Sequence, residues 1–436
     1  MLILIKNGYV IDPAANREGY YDILIEEDLV KKIDRSIPEE ILEERKERSE
    51  RVLIDAAGKY IMPGFIDLHV HLREPGFEYK ETIRIGSLAA AAGGFTTVCP
   101  MPNTKPAIDS AERIRFLKDK AARESVVNIL PVGCITLGQE GRILADIASM
   151  ADAGAAALSE DGKSVMDSAL YAKAMEEAEK AGIPIFAHCE DKSLAGNGVM
   201  NAGKRAEELG LEGISNAVED IITARDILLA KASGARLHIC HCSTADSARF
   251  IEMAKEQGLP VTGEVCPHHF TLSDEDIPAD DANYKMNPPL RSPEDVRAIK
   301  EALHKDIIDV IATDHAPHGE EEKSGSMVHA PFGIVGLETA FSLTMTELVE
   351  PGIITLRQMV EKMCVNPAKI LGIPRGCIGE GWTADLVIAD PKKEYRIDKN
   401  TFCSKGKNTP FDQKEVIGKI EYTLVAGKIV YKAKAE

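Results

Sequence analysis

The sequence predicts an α/β protein: a (β/α)8 TIM-like barrel with a small β-sandwich domain formed by the N- and C-terminal segments. Three observations lead there. Eight short β-rich runs alternate with helix-like segments between about Phe65 and Gly372. Runs of a different, hairpin-like texture occupy both ends of the chain. Histidines and carboxylates stand at the C-terminal ends of the middle runs, where a barrel carries its chemistry. The expected division is 1–62 and 374–436 for the two parts of the β domain, with 63–373 for the barrel.

At the ends, "LILIKNGYVID", "YDILIEEDLVKKID" and "RVLIDAAGKYI" are matched by "ADLVIADPKKEYRID" and "KIEYTLVAGKIVYK". All are short β-rich runs broken by Gly, Pro and Asp turns. The barrel strands are read from "GFIDLHVHL", "FTTVCPM", "VVNILPVGCI", "AAALS", "IPIFAHC", "ARLHICHC", "LPVTGEVC" and "IIDVIATD". Helices follow from "DSAERIRFLKDKAARE", "SALYAKAMEEAEKAG", "EDIITARDILLAKASG", "TADSARFIEMAKEQG" and "SPEDVRAIKEALHK", several opening on Ser, Thr or Asp as N-caps and some closing at Gly. A doubly wound open sheet is the alternative, but it has no reason to stop at eight strands, and no GxGxxG follows the first. The charged "PEEILEERKERSERV", Pro38 to Val52, reads as a solvated helix or excursion.

Composition narrows the function. The chain has 436 residues, 44% hydrophobic and 28% charged, enough for a large core. Its net charge of -18 argues against nucleic acid and anionic membranes as partners. Nine scattered cysteines without a CxxC pair fit a reducing cytoplasm. The N-terminus turns polar after five residues, too short for a signal h-region. No apolar run approaches the ~20 residues of a membrane span.

The strand ends carry the chemistry. The first run ends in His69, His71 and Arg73, the fifth in His188, the sixth in His241 and the eighth in Asp314; Glu160, Asp161 and Lys163 follow the fourth. Strand side chains alternate, so Asp67, His69, His71 and Arg73 should share the face toward the barrel mouth, with Ile66, Leu68, Val70 and Leu72 under the helices. Imidazoles and carboxylates together suit Zn²⁺ or a similar borderline metal, with enough ligands for two ions. Two ions ~3.5–4 Å apart need an anionic bridge. A lysine serves only once carbamylated by CO₂, whereas an aspartate serves unmodified. Asp161 lies two residues past "AAALS" and before a glycine, which favours it over Lys163.

The segments "DLHVHLREPGFEYKET", "MPNT", "SEDG", "AHCED", "CHCST", "MNPPLR", "ATDHAPH" and "PFGIVGLET" resemble the dihydroorotases of pyrimidine synthesis, in the amidohydrolase superfamily. The resemblance is to the class I branch, in which an aspartate bridges the metals; other branches and the hydantoinases use a carboxylated lysine. It implies two Zn²⁺ sites, the second not necessarily full: His69 and His71 with Asp314, then His188 and His241, with Asp161 between. It implies substrate contacts from His71, Arg73, Asn103, Asn287, His318, Phe332 and Gly333. It also implies reversible amide hydrolysis in which Asp314 carries the proton to the departing ring nitrogen. Arg73 offers a bidentate fork to the substrate carboxylate. A cytoplasmic homodimer acting on a small molecule is expected, and association with aspartate transcarbamoylase alongside catalysis fits some relatives.

Other residues read more plainly. His238, Cys240, Cys242 and Cys189 should alternate away from their ligand neighbours into the core. His268 and His269 could line the mouth, His315 could back the ligands, and the Gly- and Glu-rich loop containing His329 either closes over substrate or is a solvated excursion. Competing functions are hydantoinase, allantoinase, a single-metal deaminase and a non-catalytic scaffold. Arg73 speaks against the first, and the filled ligand positions speak against the last.

Overall fold

Phe65–Val70, "FIDLHV", is buried at every position, as a strand inside a barrel must be. In the computed structural model, which describes residues 1–43 and 50–434, it is the first of eight parallel strands. The others are Phe95–Pro100, a third strand split into Asn128–Ile129 and Val132–Cys134, Ala157–Ser159, Ile185–Ala187, Leu237–Ile239, Val261–Val265 and Val310–Ile311. Pro131 lacks an N–H and sits in the break of the third strand, where its carbonyl still accepts from Ala156 N. The ring closes where His71 N donates to the His315 carbonyl at 2.8 Å. All eight expected strands are present.

The helices start where their caps dictate. Ser110, Asp167, Thr244 and Ser292 each accept a first-turn N–H through their side chains, opening Ala111–Glu124, Ser168–Ala181, Ala245–Glu256 and Pro293–His304. Gly182 and Gly234 end two helices in the left-handed conformation. Strand residues Leu158, Ile185, Leu237, Ile239 and Ile311 form one buried cluster with helix residues such as Ile114, Met175, Ile222, Ile251 and Leu303. Among the described residues no helix is long and apolar enough to cross a membrane.

Inside the barrel lies a second cluster containing Ile66, Leu68, Cys99, Val132, Ala157, Phe186, Cys240, Val310 and Ala312. This corrects two expectations. Ile66 and Leu68 face the axis, and only Val70 and Leu72 join the helix-side cluster. The cause is a slip in pairing with the second strand between Asp67 and Val70, which resets the alternation so that Leu68 and His69 both turn inward. Cys240 likewise faces the axis rather than the surrounding core. His241 beside it has φ of 34°, a turn that brings two successive side chains to the centre.

The termini build one sheet. Its order runs Lys428–Lys432, Glu415–Val425, Leu386–Arg396, Tyr60–Pro63, Leu2–Asp12, Arg17–Glu26, Leu29–Asp34, with Arg51–Asp55 also pairing on Leu2–Asp12. Leu386 and Ile388 join Ile3, Ile5, Ile23, Ile25 and Ile61 in the core of the sandwich. Val387 and Ala389, on the opposite face, join the barrel's helix-side cluster. The period-two pattern of this one strand therefore fastens the sandwich to the barrel. The charged stretch at Pro38–Val52 begins with a 3-10 turn at Glu39–Leu42, and its centre, 44–49, lies outside the described residues.

Two stability predictions follow from this packing. The hairpin between Val425 and Lys428 turns on Ala426 and Gly427, with φ of 45° and 68°, and a Cβ on Gly427 would meet the Glu27 carbonyl. Gly427→Ala should cost about 1–3 kcal/mol in urea unfolding. Glu338 accepts from Cys403 N and Ser404 N, yet burial pushes its carboxyl up to about 7 from 4.5. The folded protein then binds this proton more tightly than the unfolded chain. Its contribution is complete below about pH 4.5 and is lost as pH rises through about 7. Glu338→Gln should lack that fall in a pH series of thermal melts.

Candidate metal centre

Six of the expected residues converge at the C-terminal mouth of the barrel. Asp161 Oδ1 lies 3.1 Å from His69 Nε2, 3.4 Å from His188 Nδ1 and 3.8 Å from His241 Nε2. Its Oδ2 lies 3.4 Å from His71 Nε2. Asp314 Oδ1 is 3.0 Å from His71 Nε2 and 3.6 Å from His69 Nε2. His188 Nδ1 and His241 Nε2 approach to 2.9 Å. Lys163 is exposed and turned elsewhere, donating to the Gln139 carbonyl at 2.8 Å.

This donor set fits a cation. His69 Nε2 and Asp161 Oδ1 are buried without a hydrogen-bond partner among the described residues, although they lie close together. Atoms aimed at a shared point, rather than at each other, give that pattern. Donor atoms of His69, His71 and Asp314 come within 4.8 Å of one another, as do those of His69, Asp161 and His241, so clusters able to hold a metal are present.

The electrostatics agree. Burial opposes charge on His69, but the Asp161 and Asp314 carboxylates outweigh it and raise its pKa well above the ordinary value. Burial likewise opposes charge on His188, yet Asp161 and Glu190 raise it to about 9. Burial disfavours the Asp314 carboxylate, but His69 and His71 hold it below its usual range. Two buried carboxylates here demand positive charge, whether protons or a metal supply it.

Backbone strain marks the same residues. Arg73, His241 and Asp314 have φ of 62°, 34° and 48°. Arg73 therefore leaves the strand alternation expected of it. Its Nε donates to the Pro317 carbonyl at 3.1 Å, and Nη2 lies 3.2 Å from His318 Nε2. Burial draws its pKa down to about 10, so it keeps its charge at neutrality. His318 Nε2 lies 2.8 Å from the Phe332 carbonyl and its Nδ1 3.1 Å from Lys80 Nζ. Nε2 therefore carries the proton and Nδ1 accepts, and burial with the charges of Arg73 and Lys80 keeps the ring neutral.

The remaining expected residues are distributed around this centre. Asn103 joins the cluster itself: Oδ1 meets His71 Nδ1 at 3.0 Å and Nδ2 donates to Asp161 Oδ2 at 3.2 Å. Glu190 faces His188 Nε2 at 3.3 Å, and against burial His188 and, more weakly, Lys192 and Asn287 hold its carboxyl below the usual range. Gly333 uses its N–H on the Lys285 carbonyl and its own carbonyl on Asn408. His315 accepts from Gly336 N through Nδ1 and closes the barrel through its carbonyl.

One residue escaped the sequence reading. Glu264, fully buried on the seventh strand, takes His69 Nδ1 on Oε1 at 2.9 Å and His238 Nε2 on Oε2 at 3.0 Å. It fixes His69 with Nε2 toward Asp161. Burial raises its pKa, but the two imidazoles outweigh that and bring it down to about 2. The signal was available: Thr262 and Glu264 alternate inward on a strand that had received no functional residue. Cys240 lies within the same group.

The fold and centre define a class that comparison with known proteins bears out. L-Hydantoinase (dihydropyrimidinase) from Arthrobacter aurescens superposes with TM-score 0.85 at 26% identity, covering 99% of this chain and 96% of its own. D-Hydantoinase (dihydropyrimidinase) from a Thermus species gives 0.83 at 26%, covering 99% and 97%. The architecture is thus that of the cyclic amide hydrolases, a barrel with a terminal β sandwich. A family model described as dihydro-orotase-like matches residues 58–247. The dihydroorotase of Caldanaerobacter subterraneus subsp. tengcongensis is 49% identical over 99% of this chain and 97% of its own length. That of Pelotomaculum thermopropionicum is 48% identical over 99% and 98%. The chain belongs to the dihydroorotase family.

If Glu264 orients His69 for a metal, Glu264→Gln should weaken metal affinity about 10–100-fold. Competition with a chromophoric chelator measures this directly, and a folded variant with unchanged affinity would exclude the role.

Proposed function

We propose that the chain is a zinc-dependent dihydroorotase, which closes N-carbamoyl-L-aspartate to (S)-dihydroorotate with loss of water and runs the reverse hydrolysis, in pyrimidine biosynthesis. The observation that carries this reading is the convergence of His69, His71, Asp161, His188, His241 and Asp314 beside the buried charge of Arg73. His69, His71 and Asp314 would hold one ion, and His188 and His241 the other, with Asp161 between them. Zinc bound there would supply a Lewis acid for the ring carbonyl and make a water acidic enough to attack at neutral pH.

The protein's own groups do the rest. In hydrolysis a water oxygen adds to the ring carbonyl carbon, the C–N bond breaks, and the nitrogen takes a proton. Asp314 Oδ1 is turned to His69 and His71, which leaves Oδ2 to take the water's proton and pass it on. Arg73 binds the carboxylate: its Nη1 has no hydrogen-bond partner among the described residues. His318 donates to the Phe332 carbonyl and accepts from Lys80, which sets its ring beside that arginine. His71 and Asn103 border the substrate while Asn103 orients His71 and Asp161. Asn287, Phe332 and Gly333 form the side that receives the ring amides, Gly333 allowing the close approach of its segment to Ala316 and His318. The rival reading, a hydantoinase, needs no carboxylate anchor and no aspartate bridge.

All nine cysteines are free, and seven are buried, which suits the cytoplasm. A homodimer and association with aspartate transcarbamoylase belong to the same reading. Sedimentation with and without the transcarbamoylase tests both.

Turnover of dihydroorotate and carbamoyl aspartate, measured with metal content, tests the function. Wild type should convert both, Asp161→Ala should lose metal and turnover, and a wild type inert on both would overturn the assignment. Asp314→Asn should remain folded with kcat reduced about 10²–10⁴-fold. Near-wild-type turnover would remove Asp314 from its role. Arg73→Lys should raise KM about 10-fold or more through loss of the planar fork.

A further inference from the structure

We propose that Cys266, His268 and His269 form an additional cation site, distinct from the His69–Asp314 cluster, for a borderline ion such as Zn²⁺ or Co²⁺. The three residues follow the seventh strand, which ends at Val265, and His268 and His269 lie on the short helix Pro267–Thr271. One donor atom from each lies within 4.8 Å of the other two, and all three side chains are buried. Side-chain rotation can close such a set onto one ion, whose bonds would be about 2.0–2.3 Å long.

Two unsatisfied atoms point to the ligand. His268 Nε2 and His269 Nδ1 are buried without a hydrogen-bond partner among the described residues, and each residue is only 2% exposed. His269 Nε2 meets the Pro288 carbonyl at 3.0 Å, which fixes the proton there and leaves Nδ1 as a bare lone pair. A ring that donates one nitrogen to a carbonyl while the other stays empty is arranged as a metal-bound histidine is. Burial keeps both rings neutral and therefore ready to coordinate. The Cys266 thiol, kept protonated by burial and by the Asp314 and Glu264 carboxylates, would exchange its proton for the ion: Cys–SH and M²⁺ give Cys–S–M⁺ and H⁺. Three protein ligands leave a fourth position for water.

The site has a structural consequence. Pro288, whose carbonyl accepts from His269, follows Asn287, which lies near Glu190 and helps favour its charged form beside His188. An ion on Cys266 and the two histidines would stiffen the end of the seventh strand and, through Pro288, the segment that carries Asn287. The site is argued from these residues alone and does not rest on the dihydroorotase reading.

Cobalt titration of the metal-free full-length protein, added to the native state and during refolding, tests the proposal. Wild type should bind one more equivalent than Cys266→Ala and show thiolate-to-cobalt absorption with release of one proton for that ion. Cys240→Ala, which removes the thiol beside His69 and Glu264, should keep the absorption; Cys266→Ala should lose it. Absence of the band in wild type, its survival in Cys266→Ala, or its loss only in Cys240→Ala would overturn the proposal. Should Cys266→Ala fail to fold, anomalous scattering from cobalt-loaded wild-type crystals decides the matter. A peak among Cys266, His268 and His269 supports the site, and peaks only at the His69–Asp314 cluster refute it.

Discussion

Asp161 sets the terms for the rest of the molecule. One buried carboxylate stands within 3.1–3.8 Å of nitrogens from four histidines carried on three different strands. Such a group is costly in a protein interior unless positive charge meets it. Each imidazole must therefore arrive with a defined ring orientation, and the surroundings provide it. Glu264 holds His69, Asn103 holds His71 and Glu190 faces His188. The left-handed turn at His241 is the backbone's part in the same constraint, since regular alternation after the inward Cys240 would send its side chain away from the axis.

The barrel passes this order outward to the terminal sheet. Ser404, in the C-terminal segment, donates to Glu81, and the N–H of Lys405 does too. His315 lies beside that carboxylate, and its carbonyl receives His71 N. Glu338 takes the N–H groups of Cys403 and Ser404. A chain of buried polar contacts thus runs from the last part of the sequence to a residue of the centre. Val387 and Ala389 supply the apolar half of the same junction.

Much of this was legible in the sequence, for physical reasons. The eight strands and their helices follow from period and caps: Ser110, Asp167, Thr244 and Ser292 all cap as their sequence positions imply. The six clustered residues were legible because polar side chains at barrel strand ends have few other uses. Local geometry that breaks the period was less accessible. The slip between Asp67 and Val70 lets His69 follow Leu68 toward the axis, and φ of 34° at His241 lets that histidine follow Cys240 there. A rule of strict alternation has no means of expressing either. Glu264 went unnoticed because a carboxylate inside a strand reads as a packing residue until the histidines on its two sides are seen.

The central claim is that Asp161, unmodified, joins the two halves of the centre, while Lys163 stays outside on the Gln139 carbonyl. Reconstitution of the metal-free protein with zinc in buffer stripped of CO₂, followed by dihydroorotate turnover and mass mapping of the peptide containing Lys163, tests it most directly. The account predicts full turnover without bicarbonate and an unmodified lysine. Turnover that appears only on adding bicarbonate, with CO₂ carried on Lys163, would contradict it.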